Sequence, residues 1–107
     1  MKLNIEEKQI IDELADKFKS RFGAERVVLF GSAVRGELEE GSDIDVLVVL
    51  DELDWEIEKQ IVGLCFDAEL ECGRVISTVC LSRDEFENSP LRQSPLVLNA
   101  LAQGRTL

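Results

Sequence analysis

The stretch from residue 30 to residue 46 reads FGSAVRGELEEGSDIDV, and it joins two short apolar runs. These runs, at residues 26–30 and 46–50, contain several β-branched side chains, which is typical of buried strands. The second run is too continuous for a surface strand, so we expect it to lie centrally in a sheet. Between them, the polar and glycine-containing segment 33–42 predicts a short helical turn followed by a loop.

Two aspartates open the second of these strands. Asp43 and Asp45 are two residues apart, so on a strand their side chains leave the same face. Two carboxylates in that position repel each other unless a cation lies between them, and Mg²⁺ prefers one or two carboxylates together with water and substrate phosphates. The pattern predicts a magnesium site, and the alternative is a simple pair of solvated acids.

Gly31 and Ser32 predict a phosphate-binding turn. They follow a buried strand and open a helical turn, where free backbone N–H groups and the helix dipole attract phosphate. Glycine allows a phosphate to approach the backbone closely, and the Ser32 hydroxyl can donate a hydrogen bond to a phosphate oxygen. A phosphate cradle that faces a metal site is what phosphoryl or nucleotidyl transfer requires.

The rest of the chain predicts helices around a small sheet. Asn4 and Glu7 form a capping-box pair, and Asp54 is a suitable N-cap for a later helix. The elements predicted outside the central stretch are helices over 5–22, 55–71 and 95–103, a strand over 75–81 and a short helix from Ser82. This order predicts a three-stranded sheet with helices packed mainly on one face, in a single domain over residues 1–107.

Composition excludes several classes of function. The net charge of −10, from 22 acids against 12 bases, repels nucleic acid and anionic lipid, so we expect no direct nucleic-acid binding. No apolar run approaches the roughly 20 residues that span a bilayer, and the N-terminus resembles no signal peptide, so we expect a cytoplasmic protein without membrane contact. Three cysteines and no histidine exclude a structural zinc site and leave a carboxylate, a lysine or water as any general base.

The spacing of Gly-Ser, ten residues and Asp-x-Asp resembles the signature of the nucleotidyltransferase superfamily that includes DNA polymerase beta. The motif sequence GSAVRG…GSDIDV is most similar to that of the minimal nucleotidyltransferases of bacteria and archaea. The genes of these proteins often lie beside the gene of a HEPN-domain protein, in a two-gene toxin–antitoxin pair. The specific residues are confined to 30–49, whereas the order of elements covers nearly the whole chain. The resemblance implies an α+β fold, the nucleotidyltransferase fold, with a mixed sheet of strand order 1-2-3.

The resemblance also implies an activity, namely the Mg²⁺-dependent transfer of a nucleoside monophosphate from ATP or another NTP. The transferred group that we expect is AMP. The acceptor would be a protein or a small molecule, and the chain would act as the antitoxin of a HEPN toxin. Carried over by residue, Asp43 and Asp45 bind the metal and support catalysis, and Gly31 and Ser32 bind the triphosphate. The alternative is a nucleotide-binding antitoxin that acts on its partner without turnover. The acceptor, the nucleotide base and a possible homo-oligomer stay open.

One departure from the family concerns the third strand. The family often has a third acidic residue there, which completes the metal site and helps to deprotonate the acceptor, but residues 75–81 contain no acid. Ser77 or Thr78 would lie nearest that position. A substrate or partner would then supply the base, or turnover would be slow or absent.

Arg35 is a further candidate for nucleotide binding. Beside the phosphate turn, its guanidinium could neutralise triphosphate charge. It could equally pair on the surface with Glu37 or Glu39, in an acidic run that we expect to be a solvated loop.

Overall fold

The computed structural model describes residues 3–36 and 43–107, which form a four-stranded mixed sheet with helices on both faces. The helices are α1 (Ile5–Phe22), α2 (Ser32–Arg35), α3 (Trp55–Cys72), α4 (Arg83–Asn88), a 3₁₀ helix (Pro90–Gln93) and α5 (Pro95–Gln103). The strands are β1 (Ala24–Phe30), β2 (Ile44–Leu50), β3 (Ile76–Ser82) and β4 (Arg105–Thr106). The loop predicted after α2, with its acidic run, lies outside the described residues.

The strand order is β3-β2-β1-β4, with β2 parallel to β3 and antiparallel to β1. The predicted mixed sheet of order 1-2-3 is confirmed, and β2 is flanked by strands on both sides as its continuous apolar run predicted. The predicted count of three strands is wrong, because β4 pairs antiparallel with the outer edge of β1. A strand of two residues is too short to show an alternation of apolar and polar side chains, so it can be recognised only from its pairing with Val28 and Leu29.

Local capping signals fix the starts of the helices. The Asn4 side chain accepts from the Glu7 N–H at 2.7 Å, and the Glu7 carboxylate accepts from the Asn4 N–H at 2.9 Å, which confirms the capping box. The Asp54 carboxylate likewise accepts from the Ile57 N–H at 2.8 Å. Although α1 and α3 each have 18 residues, neither of them, nor any other helix in the described part, is long and apolar enough to cross a membrane.

The apolar side chains of β2 explain why the sheet is covered on both faces. Ile44, Val46 and Val48 belong to a core cluster with α1 and α3, whereas Leu47 and Val49 belong to a cluster with α4 and α5. Successive strand residues point to opposite faces, so a strand that is buried on both sides shows no alternation. The two long helices lie together, which confirms that the helices pack mainly on one face, and the short α4 and α5 cover the other.

Candidate active site

The pairing of β1 with β2 brings the Gly-Ser turn to the aspartates. In the antiparallel register Phe30 lies opposite Asp45, and β1 ends at Phe30, so Gly31 leaves the strand directly beside Asp45. Directly opposed residues of an antiparallel pair project on the same face of the sheet. Phe30 and the neighbouring Leu47 are buried on the side of α4 and α5, so the Asp45 side chain also starts from that face.

Gly31 is a glycine for two independent reasons. Its φ of +74° and ψ of −148° describe a conformation that a residue with a Cβ rarely adopts. A Cβ built at this position would also overlap Oδ2 of Asp45 and lie 3.3 Å from its Cγ. The backbone of the turn therefore passes directly against the Asp45 carboxylate, and a larger residue would push the two apart.

The turn opens the short helix α2. The Gly31 carbonyl accepts from the N–H groups of Val34 and Arg35 at 3.1 and 3.2 Å, and no side chain caps the helix at Gly31. Backbone N–H groups in the first turn of a helix have no intrahelical acceptor. The N–H groups of Ser32 and Ala33 therefore have no acceptor within the helix and can donate to an anionic group at this turn.

The two aspartates differ in burial and are electrostatically coupled. Asp43 is exposed immediately before β2, whereas Asp45 is partly buried within it. Burial raises the pKa of Asp45, the charge of Asp43 raises it further, and the charge of Arg35 lowers it. Asp43 thus disfavours the ionised form of Asp45, and a divalent cation held by both carboxylates would remove this repulsion.

Arg35 lies on α2 with its side chain exposed. Its positive charge lowers the pKa of Asp45, so the structure places this predicted nucleotide-binding residue close enough to act on that carboxylate. The alternative partners, Glu37 and Glu39, lie outside the described residues.

The strand β3 shows which residue stands where a third carboxylate would be. In the parallel register Ser77 is the neighbour of Asp45, and Thr78 is the neighbour of Val46. Ser77 is exposed beside Asp45, whereas Thr78 starts from the opposite face. In residues 3–36 and 43–107, no group of three or more His, Cys, Asp or Glu side chains could hold a metal ion.

Glu69 on α3 has no predicted role in the site, and its contact is a structural one. Its Oε1 accepts from the backbone N–H of Ile76 at 2.8 Å. Glu69 therefore fixes the beginning of β3, one residue before Ser77. This contact could not be predicted from the sequence, because the partner of Glu69 is a backbone N–H group of the following strand.

Residues 11–101 match a family model described as the nucleotidyltransferase domain. The chain is 34% identical over 100 residues to an inferred protein adenylyltransferase of Methanocaldococcus jannaschii, with 94% of this chain and 92% of the relative covered. It is 32% identical over 106 residues to the bifunctional uridylyltransferase/uridylyl-removing enzyme of Stutzerimonas stutzeri, with 91% of this chain but only 11% of that enzyme covered.

Two solved structures share the fold at comparable identity. One is an inferred minimal nucleotidyltransferase, with a TM-score of 0.62, 25% identity, and coverage of 97% of this chain and 98% of that one. The other is a mutant form of the toxin–antitoxin MntA–HpeT, with a TM-score of 0.60, 26% identity, and coverage of 99% of this chain and 72% of that one.

Proposed function

The chain belongs to the nucleotidyltransferase domain family, and from that premise we propose that it transfers AMP from ATP to a hydroxyl group of a partner protein. The acceptor oxygen forms a bond to the α-phosphorus, the bond from that phosphorus to the pyrophosphate oxygen breaks, and the hydroxyl proton passes to a base. The observation that carries the proposal is the register of Phe30 with Asp45, which sets the Gly31 turn against the Asp45 carboxylate.

Each predicted site residue has a role in this proposal. Asp43 and Asp45 would hold Mg²⁺, which would supply positive charge to neutralise the triphosphate and the leaving pyrophosphate. The backbone N–H groups at Ser32 and Ala33 donate to phosphate oxygens at the start of α2, and the Ser32 hydroxyl adds a further donor. Arg35 balances negative charge that the nucleotide brings beside Asp45.

The nucleotide and the acceptor are inferred from relatives and from charge. The adenylyltransferase similarity extends over nearly the full length of both chains, whereas the uridylyltransferase similarity covers a tenth of a much larger enzyme. A net charge of −10 suits a basic protein acceptor better than an anionic metabolite. We propose a HEPN-type toxin as the acceptor, with this chain as its cytoplasmic antitoxin, in keeping with the fold shared with the MntA–HpeT antitoxin system.

The residue beside Asp45 on β3 favours a second candidate. Ser77 occupies that position, so this strand offers no carboxylate to accept the proton of the incoming hydroxyl. A chain that binds nucleotide and partner without turnover would have the same phosphate turn and the same aspartates. The second candidate is therefore a binding antitoxin, and the two differ only in whether the partner becomes modified.

Mass spectrometry of the partner separates the two candidates. The partner is co-expressed with the wild-type chain or with Asp43→Asn and is then purified. A mass increase of one AMP unit with the wild type alone supports transfer. An unmodified partner that is neutralised by both chains supports binding without turnover, and the absence of any co-purified partner favours a small-molecule acceptor.

A gain-of-function variant addresses the missing carboxylate directly. Ser77→Asp places an acid beside Asp45, and Ser77→Asn is a control of the same shape without the charge. If transfer is limited by deprotonation of the acceptor, the Asp variant should increase the rate by about tenfold or more, since a positioned base contributes roughly 10²–10⁴-fold. Equal rates in the two variants would show that the base comes from the partner.

A further inference from the structure

The outer face of α3 carries a stripe of large apolar side chains. Trp55, Val62, Phe66 and Leu70 are 69%, 57%, 58% and 71% exposed. Their intervals of seven, four and four residues place them on one side of the helix, over a length of about 22 Å. The opposite side of α3 already packs on the sheet through its buried residues, so this stripe contributes nothing to the core.

The neighbouring helix α1 shows that such a stripe is not a requirement of the fold. It has the same length as α3 and packs on the same face of the sheet. Apart from Ile5 at its first position, the exposed side chains of α1 are polar or charged. An ordinary surface helix has this arrangement, whereas a contiguous exposed apolar surface is typical of an interaction site.

Charge borders the α3 stripe and restricts what can cover it. On the helix, Glu58 and Glu69 lie along one edge of the stripe, and Glu56 and Asp67 lie along the other. Lys59 lies within the stripe, with its ammonium 5.0 Å from the centre of the Trp55 ring. These four acids outnumber the one lysine, so a second copy of the chain would bring mainly acids against acids, and an anionic membrane would also be repelled. A protein surface whose apolar residues are bordered by lysine or arginine matches both features.

The stripe ends near the candidate active site. After α3 the chain reaches Val75, which is 55% exposed and whose carbonyl accepts from the Ile44 N–H at 2.9 Å. Ile44 lies between Asp43 and Asp45. A partner anchored along α3 therefore reaches the end of the sheet that carries the aspartates, from the face opposite to the one on which the Asp45 side chain starts.

We infer that the α3 stripe is a docking surface for an amphipathic helix of a partner protein, with apolar residues bordered by basic ones. This inference rests on the proposed function in one respect, namely that the docked partner is the protein acceptor. A partner docked on α3 that extends around this end of the sheet to the face of Asp45 would have its acceptor oriented by the docking, because holding a hydroxyl at the reacting phosphate contributes much of the rate in such transfers.

Trp55 is the single tryptophan of the chain and lies within the stripe, so its fluorescence reports docking directly. The full chain is titrated with a synthetic helical peptide that has a leucine face bordered by lysines. We expect a saturable blue shift of the Trp55 emission that weakens at high salt. The control peptide, with glutamates in place of the lysines, should produce no shift.

Two variants test the location. The double variant Phe66→Ser with Leu70→Ser should weaken peptide binding at least tenfold, and both side chains are exposed, so the fold should be retained in circular dichroism. Leu98→Ser on α5, where the side chain is 45% exposed, is the matched control and should bind normally. Equal affinity for both peptides, or unchanged binding by the double variant, would overturn the inference. A blue shift that depends only on protein concentration would also overturn it in favour of a second copy.

The docking surface and the proposed chemistry can fail separately in the co-expression experiment. Asp43→Asn should keep the complex and lose the modification, whereas the double variant on α3 should lose the complex itself. If the α3 variant still forms the complex, the docking inference is wrong and the proposed function is unaffected. If the wild-type complex forms but the partner stays unmodified, the proposed transfer is wrong and the docking inference stands, whereas modification that persists with Asp43→Asn would overturn only the role assigned to Asp43.

Discussion

Two carboxylates of this chain, Glu7 on α1 and Asp45 on β2, are both shielded from solvent, but their pKa values are shifted in opposite directions. Glu7 is 7% exposed, and it accepts from the Asn4 N–H and from the Arg74 guanidinium. Burial acts to raise its pKa, but the hydrogen bond from Asn4 and the charge of Arg74 outweigh burial and lower it. Burial also raises the pKa of Asp45, and there the neighbouring Asp43 adds to the effect.

The difference separates a structural acid from a candidate functional one. Glu7 obtains its compensating charge within the fold, and its ion pair ties the start of α1 to the turn after α3. Asp45 receives only partial compensation from Arg35 and stands against a glycine turn that has backbone donors to offer. A group with a perturbed pKa and a nearby like charge is a candidate for binding a cation, whereas a satisfied ion pair is not.

The largest expected effect concerns the aspartates. Asp43→Asn combined with Asp45→Asn should reduce Mg²⁺-dependent ATP affinity by about 100-fold or more in calorimetry, because it removes both proposed metal ligands. The circular dichroism spectrum should stay native. Asp16→Asn combined with Glu87→Gln removes the same charge from exposed helix positions and should bind ATP normally. Unchanged affinity in the aspartate double variant would defeat the site assignment.

Glu7→Gln tests whether Glu7 stabilises the fold. It removes the charge of the carboxylate that accepts from the Asn4 N–H and from the Arg74 guanidinium, so we expect a loss of about 2–4 kcal/mol in the free energy of unfolding at pH 7, measured in denaturant. Because the folded pKa of Glu7 is lowered, its contribution is present above the unfolded value of 4.5 and is lost as pH falls through the folded value. Wild type and variant should therefore converge in acid.

The control for this prediction is Glu6→Gln, an exposed neighbour on the same helix turn, which should change stability by less than about 0.5 kcal/mol. If Glu7→Gln were equally neutral at pH 7, the pair with Arg74 would contribute no net stability. Glu7 could then no longer be contrasted with Asp45 as an acid that stabilises the fold.

Gly31→Ala and Gly63→Ala make the same chemical change with opposite expected signs. At Gly31 the positive φ and the overlap with Asp45 should lower the free energy of unfolding by about 1–3 kcal/mol and weaken ATP binding. Gly63 lies within α3, and a Cβ there meets no atom within 4 Å, so alanine should stabilise by roughly 0.5–1 kcal/mol. Thermal unfolding and calorimetry measure both effects. A neutral Gly31→Ala would show that the turn does not need to lie against Asp45.

The smallest expected effect is a gain in stability. Because the folded pKa of Asp45 is raised, its ionised form costs stability at neutral pH, and this cost disappears as pH falls towards the unfolded value. Asp45→Asn should raise the melting temperature in EDTA by about 2–4 °C at pH 7, with a smaller difference in acid. Asp16→Asn is the exposed control. A lower melting temperature for Asp45→Asn would identify Asp45 as a structural hydrogen-bond acceptor.

The elements that could be predicted are those whose signals are local. The capping box of Asn4 and Glu7, the cap at Asp54 and the spacing of apolar residues at three and four positions lie within a few residues of the helices they specify. The two-residue spacing of Asp43 and Asp45 and the Gly-Ser turn after a buried strand also belong to short stretches of chain. For this reason the sequence by itself determined the main helices, the three long strands and the candidate site residues.

Only the tertiary structure decided how those stretches meet. The antiparallel register of Phe30 with Asp45, and the position of Ser77 beside Asp45, depend on hydrogen bonds between residues far apart in the chain. The strand β4 exists because the chain turns at Gly104, where a Cβ would overlap the Ala100 carbonyl oxygen, and then meets the free edge of β1. Strand pairing draws its free energy from partners that a local pattern does not contain, and this is the physical reason why neither β4 nor the register could be predicted.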